Sequence, residues 1–121
     1  MPEEQPLRLL RVYDDHSLRR GTSVLADRLW PRGVKKDQAG FDRWAKEITP
    51  TQELRQWYHS NPGSFAEFAA RYRAELALPD RTAALDEIRG LLQHGPVTLL
   101  TAAKQIETSH LAVLRDVLEA D

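Results

Sequence analysis

The sequence predicts an α/β fold: a small, mostly parallel sheet of about three strands covered by about five helices, in one domain spanning residues 1–121. Three observations lead there. Two apolar, β-favouring segments, Leu7 to Tyr13 and Val24 to Trp30, stand near the start. A block of four helical patterns follows them. The apolar run Val97 to Thr101 then leads through a loop into a fifth helical pattern, a strand–loop–helix unit.

Each element has its own signal. "LRLLRVY" is apolar and ends in β-favouring residues, and "DDHSLRRGTS" after it is a polar loop with a glycine. "VLADRLW" is the second strand and "PRGVKK" a turn. In the first helical pattern Asp37 is the cap, and Phe41, Trp44, Ala45 and Ile48 share one face. The second opens with Thr49 as cap, Pro50 at the first helical position and Gln52 completing a capping box, ahead of Leu54, Trp57 and Tyr58. The third opens at Asn61-Pro62 and carries a stripe of Phe65, Phe68, Ala69, Tyr72 and Leu76. The fourth opens at Pro79-Asp80, presents Leu85, Ile88, Leu91 and Leu92, and stops at "HGP". "VTLLT" suits a buried central strand. Thr108 or Ser109 caps the last helix, whose core face is Leu111, Leu114, Val117 and Leu118. The first two strands are joined by about ten residues, near the lower limit for a parallel crossover, which leaves strand order open.

Bulk composition narrows the function classes. A chain of 121 residues with 41% hydrophobic and 29% charged residues has the profile of an ordinary globular domain. Without cysteine it has neither disulfides nor a thiolate-held metal, which fits a reducing, cytoplasmic setting. The opening "MPEEQP" is acidic and leads into no apolar run, so residues 1–6 read as a disordered tail and no membrane association is expected. A net charge of −1 argues against nucleic-acid binding through an overall field but leaves room for a local basic patch.

Such a patch follows the second strand. Arg28, Arg32, Lys35 and Lys36 fall within nine residues, alongside Trp30, Pro31 and Gly33. In an open α/β sheet, ligands sit beyond the carboxyl ends of the strands. If the second and third strands run the same way, this turn meets the loop from Thr101 to Lys104. Guanidinium forks match phosphate or carboxylate bidentately. Arg28, Trp30, Arg32, Lys35 and Lys104 are therefore the candidate ligand-binding residues, and Asp27 or His110 would move the proton in a catalytic version of the site. The expected partner is an anionic small molecule, phosphorylated or carboxylated. The bland alternative is a strand-end ion pair at Asp27-Arg28, a Trp-Pro wedge and solvated lysines. The four histidines show no metal spacing, and neither metal nor cofactor is expected. Asp14-Asp15-His16 is more readily an acidic loop than an ion site. The aromatics of the helical block read as core; a base-stacking surface would need them outside, mixed with Arg55, Arg71 and Arg73. No phosphate-binding glycine loop and no nucleophile motif is present.

The stretches "YDD", "ADRLWPRG", "RWAKEITPTQELRQWY", "RYRAEL" and "VTLLTAAK" resemble the domain-of-unknown-function family numbered 488, in its short bacterial branch, from about Leu9 to Leu118. Asp27 to Gly33 is the most specific match. The resemblance implies an α/β fold and a cytoplasmic protein of bacterial or archaeal origin. It also carries a frequent label, MarR-like transcriptional regulator, although no recognition helix followed by a β-wing is visible. Departures from the family pattern cluster at its acid/base positions. Thr101 stands for a Tyr, Gln105 for an Asp and Ser109 for an Asn, and His59-Ser60-Asn61 replaces Gly-His-Asp. Longer relatives place cysteines at the strand end and helix start, where this chain keeps only His110. An intact basic turn beside altered acid/base positions favours retained binding over retained catalysis. The alternative partner is nucleic acid, with Arg19, Arg20, Arg32, Lys35 and Lys36 on phosphates. A third reading is an interaction domain without a ligand. The sequence does not fix an oligomeric state.

Overall fold

Four parallel strands set the frame: β1 (Leu7–Arg11), β2 (Thr22–Leu25), β3 (Arg43–Trp44) and β4 (Val97–Thr101), in the order β1-β4-β2-β3. The computed structural model describes residues 7–120. The stretch 1–6, expected as a tail, lies outside the described residues. β4 is last in the chain yet sits between β1 and β2, and all five of its residues are buried. That placement resolves the short link between the first two strands, which need not be neighbours. Leu99 lies opposite both Leu9 and Val24, and Leu100 opposite both Leu10 and Leu25.

Side chains alternate across the sheet as strand geometry requires. Leu7, Val24, Ala26, Val97 and Leu99 enter the larger core with α1 (Gln52–Ser60), α2 (Phe65–Leu76), α3 (Pro79–His94) and α4 (His110–Glu119). Leu25 and Leu100 point the other way, into a smaller cluster with Val12, Val34, Phe41 and Trp44. One face is thus sealed by helices and the other by loop residues. No helix among the described residues is long and apolar enough to cross a membrane.

The α/β class is as the sequence predicts, with four strands rather than about three and four α-helices rather than about five. The difference is concentrated between Asp37 and Ile48. There the helical spacing yields a 3₁₀ turn (Lys36–Gln38), the edge strand β3 and a second 3₁₀ turn (Lys46–Ile48). Gly40 interrupts the segment at φ +68°. Asp42 then captures β2: its N–H donates to the Ser23 carbonyl at 2.8 Å and its carboxylate accepts from the Ser23 N–H at 2.9 Å. Ladder pairing outweighs weak helical periodicity here.

Two further boundaries move for local reasons. β2 ends at Leu25 rather than Trp30, because Asp27 turns its carboxylate onto the end of β4. The cap of α1 is Thr51, not Thr49. Thr49 is occupied: its hydroxyl donates to the Lys46 carbonyl at 2.7 Å, and its carbonyl accepts from Arg81. Glu75 of α2 accepts from both the Thr51 N–H, at 3.0 Å, and the Thr51 hydroxyl, at 2.6 Å. The carboxylate half of a capping box is thus supplied by another helix. Beside it the buried Tyr72 phenol donates to the Ile48 carbonyl, and burial pushes its pKa up, keeping it a neutral donor.

Gly21 closes the junction between the starts of β2 and β4. It adopts φ +62°, and a Cβ there would lie 1.9 Å from the Pro96 carbonyl oxygen. Gly21→Ala is therefore expected to lower stability by at least about 2 kcal/mol, read from urea unfolding midpoints. Gly63→Ala, where a Cβ meets nothing within 4 Å, is expected to stay within about 0.5 kcal/mol of the parent.

Candidate functional site

Because every strand runs the same way, all strand exits lie at one edge of the sheet, and the segments leaving β2 and β4 face each other there. Asp27 joins them. One carboxylate oxygen accepts from the Thr101 hydroxyl at 2.7 Å, and the other from the Ala102 N–H at 2.7 Å. The Thr101 oxygen in turn accepts from the Ala103 N–H at 3.1 Å. A buried strand-end threonine, a single carboxylate and two backbone amides thus form one continuous chain of donors and acceptors.

His110, the first residue of α4, completes the arrangement. Ser109 caps the helix through the Leu111 N–H at 3.2 Å. The His110 Nε2 sits against the Ala26 carbonyl and 3.3 Å from the first Asp27 oxygen. A carbonyl only accepts, so Nε2 carries its proton and shares it between the two oxygens. Both side chains are largely buried, at 16% and 14% exposure. Burial pushes the Asp27 carboxyl up. The hydrogen bond and charge of His110, with the Ala102 N–H and the Thr101 hydroxyl, outweigh it and hold the carboxyl below its ordinary value. The pair serves as a fixed tie: each Asp27 oxygen already has a donor, and one nitrogen of His110 is committed.

Above this floor opens a cleft of about 900 Å³. Four cations from three segments line it: Arg28 and Arg32 after β2, Arg55 on α1, and Lys104 after β4. None of the four side chains has a hydrogen bond or ion pair among the described residues. Among the described residues Asp27 is the only acidic one lining the cleft. Tyr13 and Tyr58 contribute rings whose hydroxyls donate to loop carbonyls, Tyr13 to Arg32 at 2.8 Å and Tyr58 to Thr108 at 2.8 Å. Tyr58 also stacks on the buried Phe68, with centroids 4.3 Å apart.

Of the residues singled out in the sequence, Asp27, Arg28, Trp30, Arg32, Lys104 and His110 line this one cleft, and Lys35 does not. Trp30 also braces the loop layer: its indole N–H donates to the Val34 carbonyl at 2.6 Å, and its ring packs on Phe41 and Trp44 at 5.2 and 5.4 Å. Lys104 is separated from α4 by a 3₁₀ turn, Ile106–Thr108. Arg55 and Tyr58 were not expected in the site. The available signal was their spacing: three residues apart on α1, they lie on one side of the helix. Elsewhere, Arg19 donates to the Ala39 and Val12 carbonyls at 3.0 and 3.4 Å, which ties one of the proposed phosphate contacts into the fold. The Asp14 and Asp15 carboxylates accept from the N–H groups of Arg11 and Ser17, as a turn requires. Among the described residues no cluster of three or more His, Cys, Asp or Glu could hold a metal ion.

The model of a family described as the inactive DUF488-N3 subclade matches residues 6–121. An uncharacterized protein of Mycobacterium tuberculosis H37Rv, Rv3073c, is 43% identical over 118 residues, which is 98% of each chain. The uncharacterized protein YeaO of Escherichia coli K12 is 40% identical over 110 residues, 91% of this chain and 94% of its own. No solved structure matches.

The Asp27 tie generates a stability prediction with a definite sign. A carboxyl held below its ordinary value of 3.8 stabilises the fold fully above about pH 4, and loses that contribution as pH falls through its folded pKa. Asp27→Asn leaves a buried donor mismatched and is expected to cost about 1–3 kcal/mol near neutrality. The gap between parent and variant should narrow progressively below about pH 4 in urea unfolding. A gap that stays constant into acid would mean that the carboxylate charge has no part in the tie.

Proposed function

The chain belongs to the DUF488 family, in the subclade described as inactive DUF488-N3, and from that premise we propose that its cleft binds a phosphorylated or carboxylated small molecule and does not turn it over. The single observation behind this reading is the charge count of the cleft: four cations with no hydrogen bond or ion pair among the described residues, against one carboxylate that already accepts from Thr101, Ala102 and His110. In a chain of net charge −1, such a local excess has a use only if an anion completes it. Three arginines offer planar forks suited to phosphate or carboxylate oxygens.

Two features support binding over catalysis. Asp27 and His110, the candidates for moving a proton, are tied to each other and to Thr101, Ala102 and Ala26 through both Asp27 oxygens and the His110 Nε2. The subclade's description as inactive agrees with a site whose acid/base positions have been given over to structure. A double-stranded nucleic acid fits less well: Arg19 is held by loop carbonyls, and Lys35 lies outside the cleft.

Calorimetric titration with inorganic pyrophosphate and with citrate tests the reading. At least one is expected to bind the parent protein, and Arg32→Ala with Arg55→Ala together should weaken binding tenfold or more, since each charge-assisted contact contributes about 1.5–3 kcal/mol. Absence of binding by both anions would overturn the proposal. So would a duplex DNA whose affinity falls steeply between about 50 and about 200 mM salt and which alone binds the cleft.

A further inference from the structure

We infer that the anion held by this cleft is the phosphate end of a nucleotide, with Tyr13 as the platform for its base. The inference rests on the anion-binding reading above and adds the body that the anion belongs to.

The argument starts from apolar surface in the wrong place. Four large hydrophobic side chains are exposed among the described residues: Tyr13, Leu18, Leu29 and Leu78. Two of them, Tyr13 at 47% and Leu29 at 66%, line the cationic cleft. A site for a bare polyanion has no use for an apolar wall beside its cations. A site for a molecule that is charged at one end and flat and apolar at the other needs both. The size agrees: about 900 Å³ lies near the top of the range of roughly 300–1,000 Å³ for small-molecule sites and far exceeds a phosphate or a small carboxylic acid.

Tyr13 is also built in, which sets it apart from a stray surface aromatic. Its hydroxyl donates to the Arg32 carbonyl on the β2 exit at 2.8 Å. The Arg11 guanidinium lies over its ring, 5.0 Å from the centroid. Arg11 is itself fixed on the β4 exit, with Nε donating to the Ala103 carbonyl at 2.9 Å and Nη2 to the Ala102 carbonyl at 3.4 Å. The ring is therefore braced from both exit loops at once, while the residue as a whole stays exposed. Base–aromatic stacking on such a ring is strong and indifferent to base identity, and the neighbouring Leu29 and Pro31 offer contact area rather than hydrogen-bonding groups. The reading is a nucleotide site that recognises phosphate and a flat base, with little discrimination among bases.

Titration of the full-length protein with ADP, inorganic pyrophosphate and adenosine tests this. ADP is expected to bind at least tenfold more tightly than pyrophosphate. Tyr13→Ala and Leu29→Ser should each remove most of that gain, with an unchanged far-UV circular dichroism spectrum showing that the variants fold. Tyr13→Phe, which keeps the ring, should retain the gain. Equal affinity for ADP and pyrophosphate would overturn the inference and leave the anion-binding reading standing. Binding of neither would overturn both. A single-stranded oligonucleotide that binds where ADP does not would also overturn the inference, replacing a free nucleotide with a strand.

Discussion

One carboxylate decides how the strand exits of this protein are arranged. Chain segments leaving two neighbouring parallel strands have no ladder left to hold them together, and their free amides and carbonyls must find other partners. Asp27 supplies them, taking the hydroxyl and the N–H offered by Thr101 and Ala102 and sharing a proton with His110. The ends of β2 and β4 and the start of α4 are thereby fixed to a single side chain. Burial works against the charge, and the donors win. The cleft above owes its shape to this knot.

The same knot sets the electrostatics. A carboxylate at the bottom of a cationic cleft would ordinarily cancel part of its field. Here its lone pairs face inward, onto groups that already need them, and the surrounding field is left to Arg28, Arg32, Arg55 and Lys104. Arg28 and Arg32 follow Asp27 within five residues, so the residue that ties the loops and two of the residues that charge the rim are nearly adjacent in sequence.

Sequence patterns reveal the half of this architecture that is local. The boundaries of α3 and β4, the Ser109 cap and the start of α4 follow from breakers, caps and apolar runs that act within a few residues. The convergence of the β2 and β4 exits needs a common strand direction, which the sequence suggests, and the adjacency of β4 to β2, which it leaves open. What stayed hidden is long-range. Phe41, Trp44, Ala45 and Ile48 have helical spacing, yet the segment pairs with β2 through Asp42, a contact that no local pattern announces. The substitute capping partner Glu75 lies 24 residues from Thr51. Arg55 reaches the cleft because α1 lies over the strand exits, a packing outcome that periodicity does not encode. Tyr13 was counted as the end of a strand, although β1 stops at Arg11 and leaves the ring free to be braced by two loops.

The uneven covering of the sheet has a dynamic side. Helices lock the larger core, whereas the opposite face is closed by Val12, Val34 and Phe41 on irregular chain and by Trp44 on the two-residue edge strand β3. Segments with few regular hydrogen bonds open locally at lower cost than packed helices. Arg28 and Arg32 ride on that looser layer, while Arg55 and His110 ride on the stiffer one. The two sides of the cleft thus differ in stiffness, and amide exchange should run faster along the irregular segments that follow β2 than through α1 and α4.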